Sequence, residues 1–286
     1  MFNKKSKTGK YKVKIAFQGE RGAYSENAIY TFFGEDVQVE PRKELREVFE
    51  SVTNQESEFG VVPIENSLEG SVNQTYDLFL THNLKVRGEI IIRISHCLIA
   101  NLGTTIESVK TVYSHPQALA QSRKFLENCK FNLIPTYDTA GSVKMLKEKA
   151  LKNAAAIASE KAAEIYNMSI LAREIEDNQT NYTRFFVISR EDSPKTGKDK
   201  TSIIFAASHT PGSLYSTLEE FAKRRVNLTK IESRPTKQKP WEYNFYLDFE
   251  GHRVEQKCKE VLEILEKTTT FLKILGSYPR ATQNPV

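Results

Sequence analysis

An α/β fold is indicated by the run Val61-Val62-Pro63-Ile64-Glu65-Asn66-Ser67-Leu68-Glu69-Gly70-Ser71-Val72, in which an apolar segment stops at small polar residues. A helix-like pattern follows, so the run predicts a strand that leads through a short turn into a helix. We expect Asn66 or Ser67 to cap that helix, and Pro63 to lie at the strand's exit because it cannot donate to a ladder. Unpaired N–H groups at such a helix start form a site for a small anion. An ordinary strand-to-helix turn is the alternative interpretation.

Three more apolar runs of the chain end in small or polar residues of the same kind. The junctions are Gln18 to Ser25, Ser114 to Ala118 and Asp138 to Ser142. In an open α/β sheet such turns gather at one edge, beyond the carboxyl ends of the strands. Four helix N-termini at one edge favour a ligand with more than one carboxylate or phosphate, because each terminus carries partial positive charge. The pattern predicts a class of ligand but no reaction.

The composition is that of a globular chain and argues against nucleic-acid binding. The 286 residues carry a net charge of +5, but residues 1–12 hold five lysines and no acid, which leaves 36 basic and 36 acidic residues elsewhere. The body of the protein is therefore neutral, and it has no stripe of basic and aromatic residues. We expect residues 1–12 to form a basic, disordered tail and residues 281–286 to form a second tail.

Signals for export, membrane insertion and metal binding are missing from the sequence. The basic start is not followed by an apolar signal core, and no apolar run reaches membrane-spanning length, so a cytoplasmic location is expected. The three cysteines and five histidines show no ligand spacing. We expect no metal and no other cofactor, so the chemistry must rest on hydroxyl, amide, carboxyl and guanidinium groups.

The chain divides at one polar segment. The residues from Ser189 to Lys200 include no apolar side chain, so 190–200 reads as a linker between domains 13–189 and 201–280. The first domain alternates short apolar runs with amphipathic segments, which predicts a mostly parallel sheet with helices on both faces, in one or two α/β lobes. Its predicted strands are 13–17, 37–40, 59–64, 84–94, 96–100, 109–113, 131–134, 154–158 and 184–188. Its predicted helices are 24–33, 43–54, 70–80, 115–128, 139–151, 158–165 and 168–173.

The second domain shows a sharper pattern. Strands are predicted at 201–207, 228–233, 243–249 and 270–275, and helices at 214–222 and 254–266. The order βαββαβ is that of the α+β, ferredoxin-like split unit.

Two polar runs at strand ends are candidates for function. In Tyr182-Thr183-Arg184-Phe185, a hydroxyl and a guanidinium enter an apolar strand. They are either solvent-facing residues of a strand start or firmly held groups, of which Arg184 could pair a carboxylate. In the second domain, Glu232-Ser233-Arg234-Pro235 is either a polar turn or half of an effector site. Gly212-Ser213-Leu214 would be the other half, since glycine lets a ligand approach the backbone closely.

Together these runs resemble the monofunctional prephenate dehydratases with a C-terminal ACT regulatory domain, over nearly the whole chain. Ser213 departs mildly from the family's usual Gly-Ala-Leu, whereas Glu232-Ser233-Arg234-Pro235 matches the second effector motif fully. The remaining segments that carry the resemblance are Phe17-Gln18-Gly19 with Gly22-Ala23-Tyr24-Ser25, Pro63-Ile64-Glu65-Asn66-Ser67 with Gly70-Ser71-Val72, Ser114-His115-Pro116-Gln117-Ala118-Leu119 with Gln121, Asp138-Thr139-Ala140, and Thr183-Arg184-Phe185.

The resemblance implies a fold and an activity. It implies two α/β lobes like a type 2 periplasmic binding protein, with the site in the cleft, followed by the ACT domain. It also implies conversion of prephenate to phenylpyruvate, water and carbon dioxide in phenylalanine biosynthesis, inhibition by phenylalanine, and homodimers or homotetramers formed through the ACT domains.

The resemblance further implies roles for individual residues. Thr183 holds the position of the catalytic group, and Glu65 is a rival proton donor. The expected substrate-binding residues are Asn66, Ser67, Ser114, Gln121, Thr139, Arg184 and Phe185. The expected phenylalanine-binding residues are Gly212, Ser213, Leu214, Asn227, Glu232, Ser233 and Arg234.

Two other functions stay open at this point. Arogenate dehydratase is a close variant, because its substrate differs by an amino group and the motifs do not separate the two. A non-catalytic amino-acid sensor, built from a solute-binding fold and an ACT domain, is the alternative from another class. Intact Thr183, Glu65, Asn66 and Gln121 argue against that sensor.

Overall fold

The computed structural model describes residues 12–236 and 241–281, which fall into two compact units. Within the described residues, the first unit comprises 12–81 and 90–186, and the second comprises 82–89, 187–236 and 241–281. The second unit thus includes a segment, 82–89, that the sequence prediction placed in the first domain. The two predicted tails lie outside the described residues, apart from Lys12 and Ala281.

The elements from the N-terminus to Ser189 alternate between strands and helices. In chain order they are β1 (Lys14–Gln18), α1 (Tyr24–Phe33), β2 (Gln38–Arg42), α2 (Leu45–Thr53), β3 (Phe59–Asn66), β4 (Gly70–Ser71), α3 (Asn73–Thr81), β5 (Lys85–Arg93), β6 (Cys97–Ala100), a 3-10 turn (Ile106–Ser108), β7 (Thr111–Ser114), α4 (Pro116–Gln121), α5 (Arg123–Cys129), β8 (Asn132–Pro135), α6 (Thr139–Glu148), β9 (Ala154–Ala158), α7 (Glu160–Tyr166), β10 (Ser169–Ala172) and β11 (Tyr182–Ser189). The α/β class predicted from the alternation is confirmed.

The first sheet has the strand order β2-β1-β3-β11-β5, with β4 paired to β3. Strand β1 runs parallel to both β2 and β3. Its residues Ile15, Ala16 and Phe17 are fully buried, which fits a central parallel strand covered on both faces. Strand β11 brings Thr183 into this sheet beside the end of β3, although the Asn66 and Thr183 side chains that meet there are 117 residues apart in sequence.

The second sheet has the order β10-β6-β9-β7-β8 and is mixed. Strand β7 is parallel to β8 and β9, whereas β6 is antiparallel to β9 and β10. Every residue of the alanine-rich strand β9 is buried. Apolar clusters lie on both faces, one around Ile99 and Val143 and the other around Val112 and Leu126. The sheet is therefore covered on both sides, as the sequence predicted, but its pairing is mixed rather than mostly parallel.

Three predicted helices differ from the structure. The helix predicted at 115–128 is two helices, α4 and α5, which meet at Ser122. The prediction of a helix at 168–173 is wrong, since β10 pairs there with β6. Asn167 ends α7 in the left-handed conformation, with φ of 50°, so the following residues leave the helical path. The helix predicted at 70–80 begins only at Asn73, because Gly70 and Ser71 pair antiparallel with the end of β3. Asn66 consequently caps a turn rather than a helix, by accepting hydrogen bonds from the N–H groups of Leu68 and Glu69.

The C-terminal residues form a third, antiparallel sheet. Its elements are β12 (Asp199–Ala206), α8 (Ser213–Lys223), β13 (Leu228–Pro235), β14 (Tyr243–Glu250), α9 (Gln256–Thr268) and β15 (Phe271–Pro279), with the strand order β13-β14-β12-β15. Strand β12 begins at Asp199, within the linker predicted at 190–200. The two helices and the sheet share an apolar core that includes Phe205, Phe221, Phe249 and Val261.

The segment 82–89 packs within the second unit beside this sheet. A Cβ atom at Gly276 would lie 2.3 Å from the carbonyl oxygen of Val86, so only glycine allows that approach. The buried carboxylate of Glu89 lies 3.0 Å from the ammonium group of Lys200. Within 12–236 and 241–281, every helix is too short or too polar to cross a bilayer.

Candidate active site

The hydroxyl of Thr183 lies beside the carboxamide of Asn66. Both residues are 9% exposed, and they stand on neighbouring strands of the first sheet, Thr183 near the start of β11 and Asn66 at the end of β3. The Asn66 amide nitrogen lies 3.0 Å from Thr183 Oγ1, 2.7 Å from Asn181 Oδ1 and 3.1 Å from the carbonyl oxygen of Tyr182. The end of β3 therefore holds the start of β11 through a single side chain.

The orientation of the Asn66 amide follows from its other contacts. Its Oδ1 accepts the backbone N–H groups of Leu68 and Glu69, each at 3.0 Å. Since two backbone donors fix the oxygen, the nitrogen must face Thr183. Thr183 Oγ1 accepts that bond and keeps its own proton to donate. The described residues place no other partner on this hydroxyl.

Further side chains extend this polar group toward the second sheet. The Asn181 amide nitrogen donates to Gln121 Oε1 at 3.1 Å, and a ring nitrogen of His96 lies 3.0 Å from the same oxygen. The other ring nitrogen of His96 lies 2.8 Å from the hydroxyl of Tyr24. The structure thus joins Thr183, Asn66 and Gln121, three residues predicted from sequence, through residues that were not predicted as part of the site.

The unpredicted residues differ in how far the sequence could have revealed them. Asn181 stands two residues before Thr183 and is a polar residue entering a buried strand, so its position was a usable signal. Tyr24 stands in the segment Gly22-Ala23-Tyr24-Ser25, which carries the family resemblance, but it was given no role. His96 has no such signal, because its relevance depends on contacts with residues 25 and 72 positions away.

Ser67, the residue after Asn66, fixes the backbone of the residues that lead into β11. Its hydroxyl donates to the carbonyl oxygen of Thr180 and accepts the N–H of Tyr182, each at 2.9 Å. Its own N–H donates to the carbonyl oxygen of Tyr182 at 2.8 Å. Ser67 is exposed, so it borders the group around Thr183 and fixes its backbone.

Arg184 and Glu65 form a pair on the other face of the first sheet. The Arg184 guanidinium lies 3.7 Å from the Glu65 carboxylate and 4.8 Å from the ring centre of Phe186. Successive side chains of a strand point to opposite faces, so Arg184 shares a face with Phe186, and Thr183 shares the opposite face with Phe185. Phe185 is only 2% exposed. The sequence neighbours Thr183 and Arg184 are thus separated by the plane of the sheet.

Ser114 and Thr139 form a second group, at the strand ends of the second sheet. Ser114 is fully buried at the end of β7 and donates to the carbonyl oxygen of Ile157 at 2.7 Å. Its own carbonyl oxygen accepts the N–H of Thr136 at 2.9 Å, which ties it to the loop before α6. Thr139 is the first residue of α6, whose N-cap is Asp138.

Asp138 gives this second group an unusual electrostatic setting. One carboxylate oxygen accepts the N–H of Gly141, and the other is buried without a partner among the described residues. Burial raises the pKa of this carboxyl, while the bond from Gly141 opposes the shift. At the Ser114 junction, the His115 side chain accepts the N–H of Gln117 at the start of α4. Asp138 does the same for Gly141 at the start of α6. Two of the predicted junctions are therefore helix starts with side-chain caps.

The predicted effector residues lie in the second unit. Gly212 caps α8 in the left-handed conformation, with φ of 85°. Ser213 and Leu214 line a cavity of about 620 Å³, together with Tyr243 and Phe245. Ser233 stands opposite Phe245 in the pairing of β13 with β14, so the two predicted effector motifs approach the same end of β14.

The other predicted effector residues lie along β13 or before it. The Arg234 guanidinium lies over the ring of Tyr246, and the Glu232 carboxylate lies 3.3 Å from Lys230. Asn227 precedes β13, and its carbonyl oxygen accepts the N–H of Glu250. Within one chain, Asn227 is therefore at the opposite end of the β13–β14 pair from Ser233. Across the described residues no group of three histidine, cysteine or acidic side chains is arranged to hold a metal ion.

A polar group at the strand ends of a two-sheet α/β unit is the kind of site that an α/β enzyme uses for a small polar ligand. Comparison with known proteins makes this class specific. The chain belongs to the prephenate dehydratase family, whose model matches residues 15–193. The family and the prephenate dehydratase activity that the resemblance implied are confirmed.

Individual relatives agree with that family. The chain is 42% identical over 266 residues to the prephenate dehydratase of Methanocaldococcus jannaschii, covering 91% of this chain and 95% of the relative. It is 45% identical over 273 residues to the bifunctional chorismate mutase/prephenate dehydratase of Aquifex aeolicus, covering 94% and 74%. The crystal structure of prephenate dehydratase from Arthrobacter aurescens in complex with L-Phe superposes with a TM-score of 0.86 at 32% identity, covering 96% and 92%.

Proposed function

We propose that this protein converts prephenate to phenylpyruvate, water and carbon dioxide, with Thr183 assisting the departure of the ring hydroxyl. The reaction removes a carboxylate and a hydroxyl from the ring and leaves an aromatic product, so it is strongly downhill. The enzyme has to hold the dianion and to help the oxygen leave. The observation that carries the proposal is the bond from the Asn66 amide nitrogen to Thr183 Oγ1, at 3.0 Å.

Thr183 acts here as a hydrogen-bond donor and not as a source of a free proton. A threonine hydroxyl is too weak an acid to give up its proton at neutral pH. The ring carboxylate leaves as carbon dioxide, its bonding electrons complete the aromatic ring, and the oxygen leaves as hydroxide with the C–O electron pair and takes a proton from solvent to become water. The bond from the Thr183 hydroxyl to the leaving oxygen strengthens as that oxygen gains negative charge, which stabilises the transition state. The Asn66 amide supports this role because it occupies the acceptor side of Oγ1 and leaves the O–H for the substrate.

Glu65 is the alternative proton donor, and its surroundings favour Thr183. The Glu65 carboxylate pairs with Arg184. Because Arg184 lies on the face of the sheet opposite Thr183, the Glu65 carboxylate that pairs with it lies on that opposite face too. Glu65 is thus separated from the polar group that Thr183 forms with Asn66.

The two carboxylates of prephenate require hydrogen-bond donors near the Thr183 hydroxyl. Gln121 supplies one, since its oxygen is occupied by Asn181 and His96 and its nitrogen is left to donate. We assign further binding contacts to Asn66, Ser67, Ser114 and Thr139, which stand at strand ends or helix starts. Phe185 would pack beneath Thr183. Arg184 lies on the opposite face, so its proposed contact is with a substrate carboxylate that extends past the end of the strands, and not with the ring hydroxyl.

The C-terminal unit is proposed to regulate this activity. The order β12-α8-β13-β14-α9-β15, with antiparallel strands ordered β13-β14-β12-β15, supports a ferredoxin-like ACT domain. Phenylalanine would bind in the cavity beside Gly212, Ser213 and Leu214. Strand β13 lies at one edge of this sheet, and homodimers or homotetramers would form by pairing of that edge with a second copy. The two sheets of the first unit support the type 2 periplasmic-binding-protein likeness, and a cytoplasmic location stays a prediction.

Purified protein assayed on two substrates tests the activity. We expect phenylpyruvate from prephenate, at a kcat/KM above that for phenylalanine formation from arogenate. If product forms from arogenate but not from prephenate, the protein is an arogenate dehydratase. Binding of phenylalanine without turnover of either substrate would instead support the non-catalytic sensor.

A further inference from the structure

His96 is buried beside the candidate active site and contacts two polar side chains. It is 2% exposed. Its Nε2 lies 3.0 Å from Gln121 Oε1, and its Nδ1 lies 2.8 Å from the Tyr24 hydroxyl. Neither sequence motifs nor the proposed reaction gives His96 a role.

The protonation of this ring can be deduced from the far end of the hydrogen-bonded chain. The backbone N–H groups of Leu68 and Glu69 fix the Asn66 oxygen, so the Asn66 nitrogen donates to Asn181 Oδ1. The Asn181 nitrogen must then face Gln121 and donate to its Oε1. The atom that His96 Nε2 meets is therefore an acceptor, and Nε2 must carry a proton.

The surroundings of His96 favour the neutral ring with this tautomer. Burial lowers the pKa of His96, against opposing effects of the Gln121 hydrogen bond and the nearby Glu176 carboxylate. Glu176 itself accepts the backbone N–H of His96 and pairs with Arg93. With Nε2 protonated and the ring neutral, Nδ1 is an acceptor, and the single hydroxyl proton of Tyr24 is shared between Nδ1 and the carbonyl oxygen of Ser95 at 2.7 Å.

We propose that His96 is a positioning residue for the dehydratase reaction, whose Nε2–H holds the Gln121 carboxamide with its nitrogen directed to the substrate. Two donors, from His96 and Asn181, occupy Gln121 Oε1. The Gln121 nitrogen has no partner among the described residues, and the side chain is half-buried, so this N–H₂ is the group available to a substrate carboxylate. The proposal rests on the proposed function, in which Gln121 binds prephenate.

Two substitutions that differ by one methylene group separate positioning from simple packing. In His96→Gln, the terminal amide reaches the place of Nε2 and donates to Gln121. In His96→Asn, the amide reaches only the place of Nδ1 and stays near Tyr24. Losing one bond to Gln121 lets its amide rotate, so we expect His96→Asn to raise KM for prephenate roughly three- to tenfold with kcat within about twofold. His96→Gln should keep KM within about twofold of the wild type.

A second background and a control sharpen this test. Gln121→Met removes the amide, so His96→Asn should add less than about twofold in that background, because the two residues act as one unit. His252→Asn is the matched control, since His252 is also buried and hydrogen-bonded through both ring nitrogens but lies in the second unit. We expect no change in KM for this control.

Several results would overturn the proposal. One is equal KM values for His96→Asn and His96→Gln, and another is an equal effect of His96→Asn in both backgrounds. If His96→Asn does not fold, nitrogen-15 NMR of histidine-labelled wild-type protein still decides, with His96→Gln used to assign the signal. The arrangement requires a proton on Nε2, so a neutral ring with its only proton on Nδ1 would refute it. Failure of the proposed function is distinct, since the wild-type protein would then form no product from prephenate.

Discussion

At the scale of single residues, the Thr183 hydroxyl is the group whose removal should damage catalysis most. Its contact gains strength only as the leaving oxygen becomes negative, so Thr183→Ala should lower kcat by about 10²–10³-fold and change KM little. Thr183→Ser keeps a hydroxyl and should retain part of the activity. Steady-state rates of phenylpyruvate formation measure both effects.

Thr180→Ala is the matched control for that substitution. Thr180 is exposed three residues earlier, and its hydroxyl contacts only Asn178 among the described side chains. We expect near-normal kcat for this control. A Thr183→Ala enzyme with equally normal turnover would remove Thr183 from the mechanism.

The pair of Arg184 with Glu65 permits a test of substrate binding against structural support. A lysine ammonium cannot reproduce a two-pronged bond to a carboxylate or cover the Phe186 ring as a guanidinium does. Because hydrogen bonds to charged groups contribute about 1.5–3 kcal/mol, Arg184→Lys should lower kcat/KM roughly tenfold or more if Arg184 binds substrate.

Denaturant unfolding of the same Arg184 variant separates the two roles. A lower free energy of unfolding with unchanged kcat/KM, in both Arg184→Lys and Arg184→Ala, would make Arg184 a structural partner of Glu65. The buried position of Arg184 on the face away from Thr183 makes this comparison necessary.

The residues of the site could be predicted from sequence only in part. The motifs pointed to Thr183, Asn66 and Gln121, which the structure joins in one hydrogen-bonded group. Motif position alone did not reveal that Thr183 and Arg184 face opposite ways, although the two-residue period of a strand implies it. His96 could not be found, because a buried histidine carries no sequence sign of which side chain it will meet.

At the scale of elements, the strands and helices with clear periodicity were predicted within a few residues. The errors at 168–173 and 70–80 have local causes. Strand β10 (Ser169–Ala172) is short, so its apolar residues fit a helical period as well as a strand. The sequence pattern placed Gly70 and Ser71 in the first turn of a helix. In the structure these two residues form a short strand that pairs with the end of β3.

Gly22 offers a test of how the elements of the first unit are held together. Its carbonyl oxygen accepts the hydroxyl of Ser159, the N-cap of α7, at 2.6 Å. Its φ is 89°, and a Cβ atom there would lie 2.6 Å from Ala162 Cα. Gly22→Ala should therefore destabilise the protein by about 2–4 kcal/mol, combining backbone strain with overlap against a helix backbone. Urea unfolding measures this change.

Gly103→Ala isolates the backbone contribution to that change. Gly103 has a φ of 83°, but a Cβ atom added there would have no neighbour within 4 Å, so only strain should act, at about 1 kcal/mol. Equal destabilisation by the two substitutions would mean that the approach of Gly22 to α7 contributes nothing.

At the scale of the whole molecule, the segment 82–89 shapes how regulation can be tested. It belongs to the second unit, where Glu89 pairs with Lys200 and Val86 contacts Gly276. A fragment ending at residue 190 would lack the sheet against which 82–89 packs, including Gly276 and the Lys200 partner of Glu89, so this segment would lose its packing. Loss of regulation in such a fragment would be hard to separate from loss of structure, so point substitutions in the full chain are the better test.

Phenylalanine should inhibit the full chain through the cavity beside Gly212. An effector acts at a distance only if it binds one state of the enzyme better than another, and such coupling is typically about 1–3 kcal/mol, or roughly 5–150-fold in affinity. Gly212 has a φ of 85°, so Gly212→Leu costs backbone strain of about 1 kcal/mol, but the added Cβ has open space and the leucine side chain stands next to Ser213 and Leu214, which line the cavity. We expect the half-inhibitory phenylalanine concentration to rise at least about tenfold, with the uninhibited rate within about twofold.

Gly197→Leu is the control, because Gly197 also has a positive φ, of 90°, and open space, but lies away from that cavity. It should keep normal inhibition, whereas Ser233→Ala, opposite Phe245 on β13, should weaken it as Gly212→Leu does. Each protein is assayed against phenylalanine concentration at two prephenate concentrations. Equal inhibition of all variants, relieved by more prephenate, would mean that phenylalanine competes at the Thr183 site, and the C-terminal unit would need another role.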